Sequence, residues 1–258
     1  MKKNDLRQFR LVTKALILAA GLGSRLQSLT ENQPKTLVEV NGKAILHHQL
    51  ISLSAAGITE CVIAIGHKGS MIKERFGSQY ESIQLHYIEN ALFATTNNIY
   101  SLYLLKDHLN QACLLLEGDV LVEDSILQDL ISNEAPNIAV VDHVTAEADG
   151  TILYADSNHV TKMILKEQQN ELTNTASALK TVNIYKFSKK MLNDYLSPLL
   201  EQAISQGHNN VFYESILSEI IEQKTILIAP MIVSSKKWAE IDNLEDLIEA
   251  KDIFSGLH

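Results

Sequence analysis

Short apolar runs alternate with amphipathic stretches along the first half of the chain, and this alternation restricts the fold more than any other feature. KALILAA, CVIAIG, IQLHYI, CLLLEGDV and NIAVVD are rich in Ile, Val and Leu and too short for stable helices, so they read as strands. AILHHQLISLSAAG, TNNIYSLYLLKDHL and EDSILQDLIS carry helical spacing between them. Strands that are apolar on both faces need cover on both. The pattern therefore predicts an α/β fold, a doubly wound and mostly parallel three-layer sheet. Gly57 after one helix and Asn97 or Asn98 before another supply stop and start signals.

After about residue 143 the texture changes. TILYADSNHVTKMILKEQQ and KTVNIYKF predict two or three strands with short polar turns, a small β-rich insertion on the same sheet. Helices are expected from about Ser188 to Gln206, from Val211 to Glu222 and after Asn243, with a strand at TILIAP. No repeat or low-complexity linker interrupts the sequence.

Composition narrows the function classes. A chain of 258 residues, 46% hydrophobic and 21% charged, can bury one sizeable core. A net charge of -9 with no Lys/Arg block argues against nucleic acid as a partner, because neutralising a phosphate backbone needs a basic face. The N-terminal MKKNDLRQFR and the run after it superficially resemble a leader, but Lys14 interrupts the apolar part. No stretch approaches the ~20 apolar residues of a membrane span. Cys61 and Cys113 sit inside apolar runs and match no metal spacing, which predicts buried reduced thiols and a cytoplasmic setting. The sequence leaves open whether the chain assembles as a homo-oligomer.

The first strand runs into GLGSRLQSLTENQPKTLVEVNG. A dinucleotide fingerprint needs a third glycine where Leu26 stands, and the Gly-Lys-Ser/Thr of a P-loop is absent. What remains is Gly21, Gly23, Arg25 and then Pro34-Lys35. Glycines let backbone N–H groups approach phosphate oxygens, Arg25 offers a planar fork of donors, and Lys35 supplies a mobile point charge. Two cations in one loop suit two phosphorus-bearing substrates. A tight turn with both cations in solvent would account for the glycines but not for Pro34-Lys35.

The stretch LILAAGLGSRL followed by PKTLVEVNGKAIL resembles the nucleotidyltransferases that join a nucleoside triphosphate to a phosphorylated small molecule and release pyrophosphate. The resemblance extends over nearly the whole chain. It implies a single domain over residues 1–258, with a nucleotide-binding half at 14–143, an acceptor-binding half at 144–258 and the active site over the carboxyl ends of the strands. It implies catalytic roles for Arg25 and Lys35, and nucleotide contacts from Ala20, Gly21, Gly23, Ser24, Arg25, Asn90 and Asn97. In that family an aspartate at the Asp119 position, ending LLLEGDV, and an acidic residue of the late motif, here WAEIDNLEDL, grip the metal. Glu240 and Asp242 alternate onto one side of that segment, and with Asp119 they form a hard oxygen set suited to Mg²⁺. Glu117 is a further carboxylate at the same strand end.

The Asn-Asn-x-Tyr-Ser-Leu segment of ATTNNIYSLYLLKDHL resembles the cytidylyltransferases for phosphocholine and small phosphonates, which implies CTP as the nucleotide. KTVNIYKFS and FYESIL resemble cytidylyltransferases acting on phosphonates such as 2-aminoethylphosphonate. Acceptor contacts are expected from Lys35, Asn98, Lys166 and Lys180, with Asp149 or Glu214 for an amine. Tyr185, Phe212, Tyr213 and Trp238 are expected wall residues. Phosphocholine enzymes carry a tryptophan where EADGTILYAD has no aromatic before Tyr154, so 2-aminoethylphosphonate is favoured over phosphocholine. A phosphonate dianion is already deprotonated near neutral pH and needs no general base, which assigns the histidines, His47-His48 included, to structure. A sugar-1-phosphate nucleotidyltransferase is the alternative enzyme, and a nucleotide-sensing subunit without catalysis is the alternative outside enzymes.

Overall fold

The computed structural model describes residues 12–144, 150–170 and 177–256. β1 (Lys14–Ala19) is buried along its whole length, and the glycine loop behind it ends in helix α1 (Ser28–Glu31). A small hairpin, β2 (Glu39–Val40) and β3 (Lys43–Ala44), leads into α2 (Ile45–Ala55). There follow β4 (Glu60–Ile65), α3 (Gly69–Phe76), β5 (Gln79–Tyr80), β6 (Ile83–Glu89) and α4 (Asn98–Leu104). β7 (Cys113–Glu117), β8 (Val120–Val122), α5 (Asp124–Ser132) and β9 (Ile138–His143) complete the first half. The second half adds β10 (Ile152–Ala155), β11 (Val160–Ile164) and β12 (Leu179–Phe187). One continuous helix then joins α6 (Lys189–Met191), a π turn at Leu192–Leu196 and α7 (Ser197–Ser205). The chain closes with α8 (Glu214–Gln223), β13 (Ala229–Ile232), β14 (Trp238–Glu240) and α9 (Leu244–Ile253).

The main sheet runs β11-β10-β12-β7-β1-β4-β6-β5, with β9 beside β12 and β13 beside β9. Its centre, β7-β1-β4-β6, is parallel. β12 joins β7 antiparallel, and the β10-β11 hairpin extends that side as the expected β-rich addition. Leu16 and Leu18 enter one buried apolar cluster while Ala15, Ile17 and Ala19 enter the other. The pleat of β1 thus feeds a core on each face, as the unbroken apolar runs predict for a three-layer α/β sheet.

Two boundaries and one helix differ from the sequence reading. The expected strand TILIAP begins only at Ala229, because residues 225–228 return the chain from α8, with the Ile228 carbonyl accepting from the Val160 N–H at 2.8 Å and the Leu227 carbonyl from the Asn137 side chain at 3.1 Å. Pro230 is tolerated there because β13 lies at a sheet edge. α8 starts at Glu214 rather than Val211. α3, which the sequence analysis left unassigned, buries only Gly69 and Ile72, too narrow an apolar stripe to be read from periodicity. Cys61 and Cys113 are buried free thiols. Among the described residues no helix is long and apolar enough to cross a membrane.

Candidate active site

The carboxyl ends of β1, β6 and β7 open into a cavity of about 980 Å³. β1 lies between β4 and β7, so the cavity sits where the winding of the sheet reverses, the usual crevice for ligands in open α/β folds. Ala20, Gly21, Gly23, Ser24 and Arg25 form one wall. Gly23 holds a left-handed φ of 63°, and a Cβ there would stand 2.8 Å from Lys35 Cβ. The glycine therefore lets the loop lie directly on the stem of Lys35.

Lys35 begins a 3-10 turn behind Pro34, whose extended backbone aims the lysine into the cavity. Its ammonium donates to Asp119 Oδ2 at 2.6 Å and to Asp242 Oδ1 at 2.7 Å. Arg25 Nη2 approaches the same Asp242 oxygen at 2.8 Å. Burial alone would lower the pKa of Lys35, but the carboxylates of Asp119 and Asp242 reverse that and hold it above the usual lysine range. Burial would likewise raise Asp242, yet Lys35 and Arg25 keep it below the ordinary aspartate value.

Two backbone devices bring these aspartates together. Gln49 of α2 donates to the carbonyls of Glu117 at 2.7 Å and Val120 at 2.9 Å, pinning the turn that carries Asp119. β14 then pairs antiparallel with β8, and the Ile241 N–H reaches the Asp119 carbonyl at 3.0 Å. Asp242 follows immediately. Its own N–H bonds to Asp246 Oδ2, whose residue belongs to a reciprocal capping box with Asn243 at the start of α9.

Glu240 also lines the cavity, but both of its oxygens are engaged by protein, Oε2 by Lys180 at 2.5 Å and Oε1 by Asn183 at 3.0 Å. Glu240, expected as a metal ligand, and Lys180, expected at the acceptor, are thus paired with each other in this structure. Asn183 was overlooked, although an amide in mid-strand was a usable signal. It has a φ of 59° within the irregular register between Thr181 and Tyr185. This bulge lets Lys180 and Asn183, which a regular pleat would send to opposite faces, meet one carboxylate.

Glu117 and Glu214 face the cavity through Asn98. The Asn98 amide donates to Glu117 Oε1 at 3.0 Å and Glu214 Oε2 at 3.4 Å, while its oxygen accepts the Tyr213 N–H at 2.8 Å. Burial, then the charges of Asp119 and Glu214, raise the Glu117 pKa well above the usual value. Burial likewise raises Glu214 from 4.5 to about 7. Folding therefore takes up a proton on Glu214 between those two values, so its contribution is largest at low pH and is lost as pH rises through the folded pKa. We expect Glu214→Gln to flatten the fall in melting temperature between about pH 5 and about pH 8, by the equivalent of at most about 3 kcal/mol. A wild-type slope retained in the variant would assign the titration elsewhere.

Several expected contacts are placed differently. Tyr185 and Tyr213 have no exposed surface and lie in the core cluster, not on the cavity wall, with Tyr185 Oη and Thr181 Oγ1 2.9 Å apart. Asn90 borders the cavity, yet its amide is used internally, donating to Thr96 and Ser101 and accepting from the Leu92 N–H, so it shapes the 90–97 loop. Asn97 borders the cavity as expected and also caps α4 through the Asn98 N–H at 2.8 Å. Lys166 and Phe212 line the cavity, whereas the Trp238 indole is turned to Asp142 Oδ2 at 2.7 Å. Asp149 lies outside the described residues.

Among the described residues no cluster of three or more His, Cys, Asp or Glu could hold a divalent cation alone. Asp119 Oδ1, however, is buried at the cavity with no hydrogen-bond partner, and its other oxygen accepts from the Lys35 ammonium, which also reaches Asp242. Two carboxylates, with substrate phosphates and water completing the shell, fit Mg²⁺.

A glycine loop with two cations, facing two aspartates at the switch point of a doubly wound sheet, defines a phosphate-handling transferase. Residues 14–255 match the family described as Nucleotidyl transferase, and the chain belongs to that family. It is 31% identical to the CMP-5'-(3-aminopropyl)phosphonate synthase of Streptomyces rubellomurinus over 94% of its own length, spanning 39% of that longer protein. It is 25% identical to the choline-phosphate cytidylyltransferase of Streptococcus pneumoniae, covering 94% of this chain and 99% of that one. A 2-aminoethylphosphonate cytidylyltransferase of Lancefieldella rimae is 34% identical over 43% of this chain and 45% of its own. The fold superposes on the CTP:phosphocholine cytidylyltransferase of Streptococcus pneumoniae with a TM-score of 0.75 at 24% identity, covering 94% of this chain and 99% of that one.

Proposed function

We propose that this nucleotidyltransferase uses CTP and Mg²⁺ to transfer CMP to a small phosphonate or amino-alcohol phosphate, with 2-aminoethylphosphonate favoured and phosphocholine next. The observation that carries the reading is the Lys35 ammonium held between Asp119 and Asp242 opposite Arg25 and the glycine loop. The similarity to cytidylyltransferases supports the choice of nucleotide. Residues 14–143 would hold the nucleotide and residues 144–258 the acceptor within one domain, and the two buried free thiols suit a reducing, cytoplasmic setting.

The chemistry follows from charge placement. An acceptor phosphonate or phosphate oxygen attacks the α-phosphorus in line; the new O–P bond forms as the α–β bridge breaks, and pyrophosphate leaves with that bond's electron pair. Lys35 and Arg25 offset the negative charge gathering on the α-phosphoryl and leaving oxygens. The loop glycines allow backbone N–H groups close to the same phosphates. Asp119 and Asp242 would hold Mg²⁺, which when bound neutralises triphosphate oxygens. The attacking oxygen carries no proton to remove near neutral pH, so the site needs no side-chain base.

A screen of pyrophosphate release tests this, crossing CTP, UTP, ATP and GTP with 2-aminoethylphosphonate, phosphocholine and a hexose 1-phosphate. Release is expected with CTP and the amino-alkyl acceptors, and Asp119→Ala should abolish it with the fold intact. Release from UTP and the hexose phosphate alone would transfer the protein to the sugar-nucleotide enzymes.

A further inference from the structure

The carboxyl end of β4 does not line the cavity, yet the two residues that follow it tie three neighbouring segments together. A Cβ at Gly66 would lie 2.5 Å from the Ala20 carbonyl oxygen and 2.7 Å from Phe93 Cβ, so glycine lets this strand end touch both the glycine loop and the 90–97 loop. His67 comes next. Its backbone N–H donates to the Ala20 carbonyl at 3.3 Å, and its ring meets Phe93 edge-on with 5.9 Å between centroids. Its Nε2 stands 3.1 Å from the Thr30 carbonyl oxygen, which can only accept, so that nitrogen carries the proton and donates.

Thr30 passes the restraint on. It is buried, and its hydroxyl donates to the carbonyls of Gly23 at 2.9 Å and Gln27 at 3.2 Å. The Thr30 N–H donates to the same Gln27 carbonyl at 3.1 Å. Gln27 has a φ of 52°, a conformation that a residue with a side chain keeps only where its surroundings over-determine it. Thr30 supplies two of those restraints and is itself held from behind by His67. From this relay we infer that His67 is a positioning residue for the reaction: through Thr30 it keeps the loop of Gly21, Gly23 and Arg25 in the shape that meets the nucleotide phosphates. The histidine touches no reacting group. A loop fixed before binding spares the ligand the cost of ordering it, so the effect falls on nucleotide affinity. The role rests on the reading above that this loop takes CTP.

Two variants separate the donor from the ring, since His67→Phe keeps an aromatic against Phe93 and deletes the donor, whereas His67→Gln keeps an N–H. At saturating acceptor, His67→Phe should raise the KM for CTP about three- to tenfold, the worth of one hydrogen bond, with kcat within about twofold and the acceptor KM unchanged. His67→Gln should restore most of that loss. In Thr30→Val, which lacks the hydroxyl that reaches Gly23, adding His67→Phe should cost little more, because both act along one path. Hydrogen exchange without nucleotide reads the loop itself. The amides of Leu26, Gln27 and Thr30, bonded at 3.0, 3.1 and 3.1 Å, should exchange at least about threefold faster in His67→Phe, while those of β1 and β4 keep their rates. Unchanged loop exchange, a fall in kcat in place of the rise in KM, or a glutamine variant as impaired as the phenylalanine one overturns the role. Should His67→Phe fail to fold, Thr30→Val decides, and a loop that exchanges no faster in it overturns the relay. The expected exchange in a protein that releases no pyrophosphate from CTP would keep His67 as the anchor of the loop and remove the CTP reading instead.

Discussion

Lys35→Ala is expected to slow pyrophosphate release from saturating CTP by about 10³-fold, with little change in the circular dichroism spectrum. Removing one preorganised donor at developing phosphoryl charge typically loses ~10²- to 10³-fold. Lys35 stands at the upper end because it is the link between Asp119 and Asp242, at 2.6 and 2.7 Å. Truncation also removes the ammonium that two partly buried carboxylates share. Water entering the open cavity will hydrate them in part, so a stability loss of about 1–3 kcal/mol is expected rather than the full penalty for an unpaired buried charge. Lys35→Met separates the two contributions, since it keeps the stem that packs under Gly23 and deletes only the charge. Turnover within tenfold of wild type in Lys35→Met would mean that the ammonium does not face the reacting phosphates.

The second large effect is expected from Gly118→Ala, a residue with no side chain to offer chemistry. A Cβ at Gly118 would lie 2.8 Å from the Leu18 carbonyl oxygen, 2.9 Å from Thr36 Cγ2 and 3.0 Å from Ala19 Cα. Backbone cannot yield as a side-chain tip can, so the turn between β7 and β8 must lift from β1. The Gly118 N–H bond to Leu18 O, at 2.9 Å, goes with it. We expect a loss of about 1–3 kcal/mol, in the range of overpacked cores. Because Asp119 is the next residue, activity should fall by about 10²-fold or more, as a shift near 1 Å commonly causes. Gly21→Ala is the control for stability: nothing lies within 4 Å of its built Cβ. It should melt like wild type. If Gly118→Ala does so too and retains activity, the close approach of the two strands is not what positions Asp119.

How much of the site was legible beforehand depends on how local its causes are. The glycine loop was readable because its small residues and cations lie within one short segment at a strand end. Asn243 was readable as a helix start because a cap acts over three residues, and it holds Asp242 through Asp246. Tyr185 and Tyr213 were misjudged for the opposite reason. An aromatic hydroxyl serves a binding wall or a core equally well, and only the packing of β12 against α8 and the long helix puts both rings inside. Glu240 and Lys180 are sixty positions apart, and their mutual neutralisation depends on the bulge around Asn183. No alternation rule carries a bulge, so two charges that each suited a ligand proved to satisfy one another.

The amino-acid sequence by itself determined the layered architecture and the glycine loop with its two cations, since burial on both strand faces and the conformational freedom of Gly23 are properties of short segments. Tertiary structure alone decided which carboxylates stand with Lys35 and which with Lys180. That choice comes from the antiparallel pairing of β14 with β8 and from the bulge around Asn183. Contacts between residues so distant along the chain follow from the shape of the whole sheet, and charge balance in a low-dielectric cavity is settled only after they form.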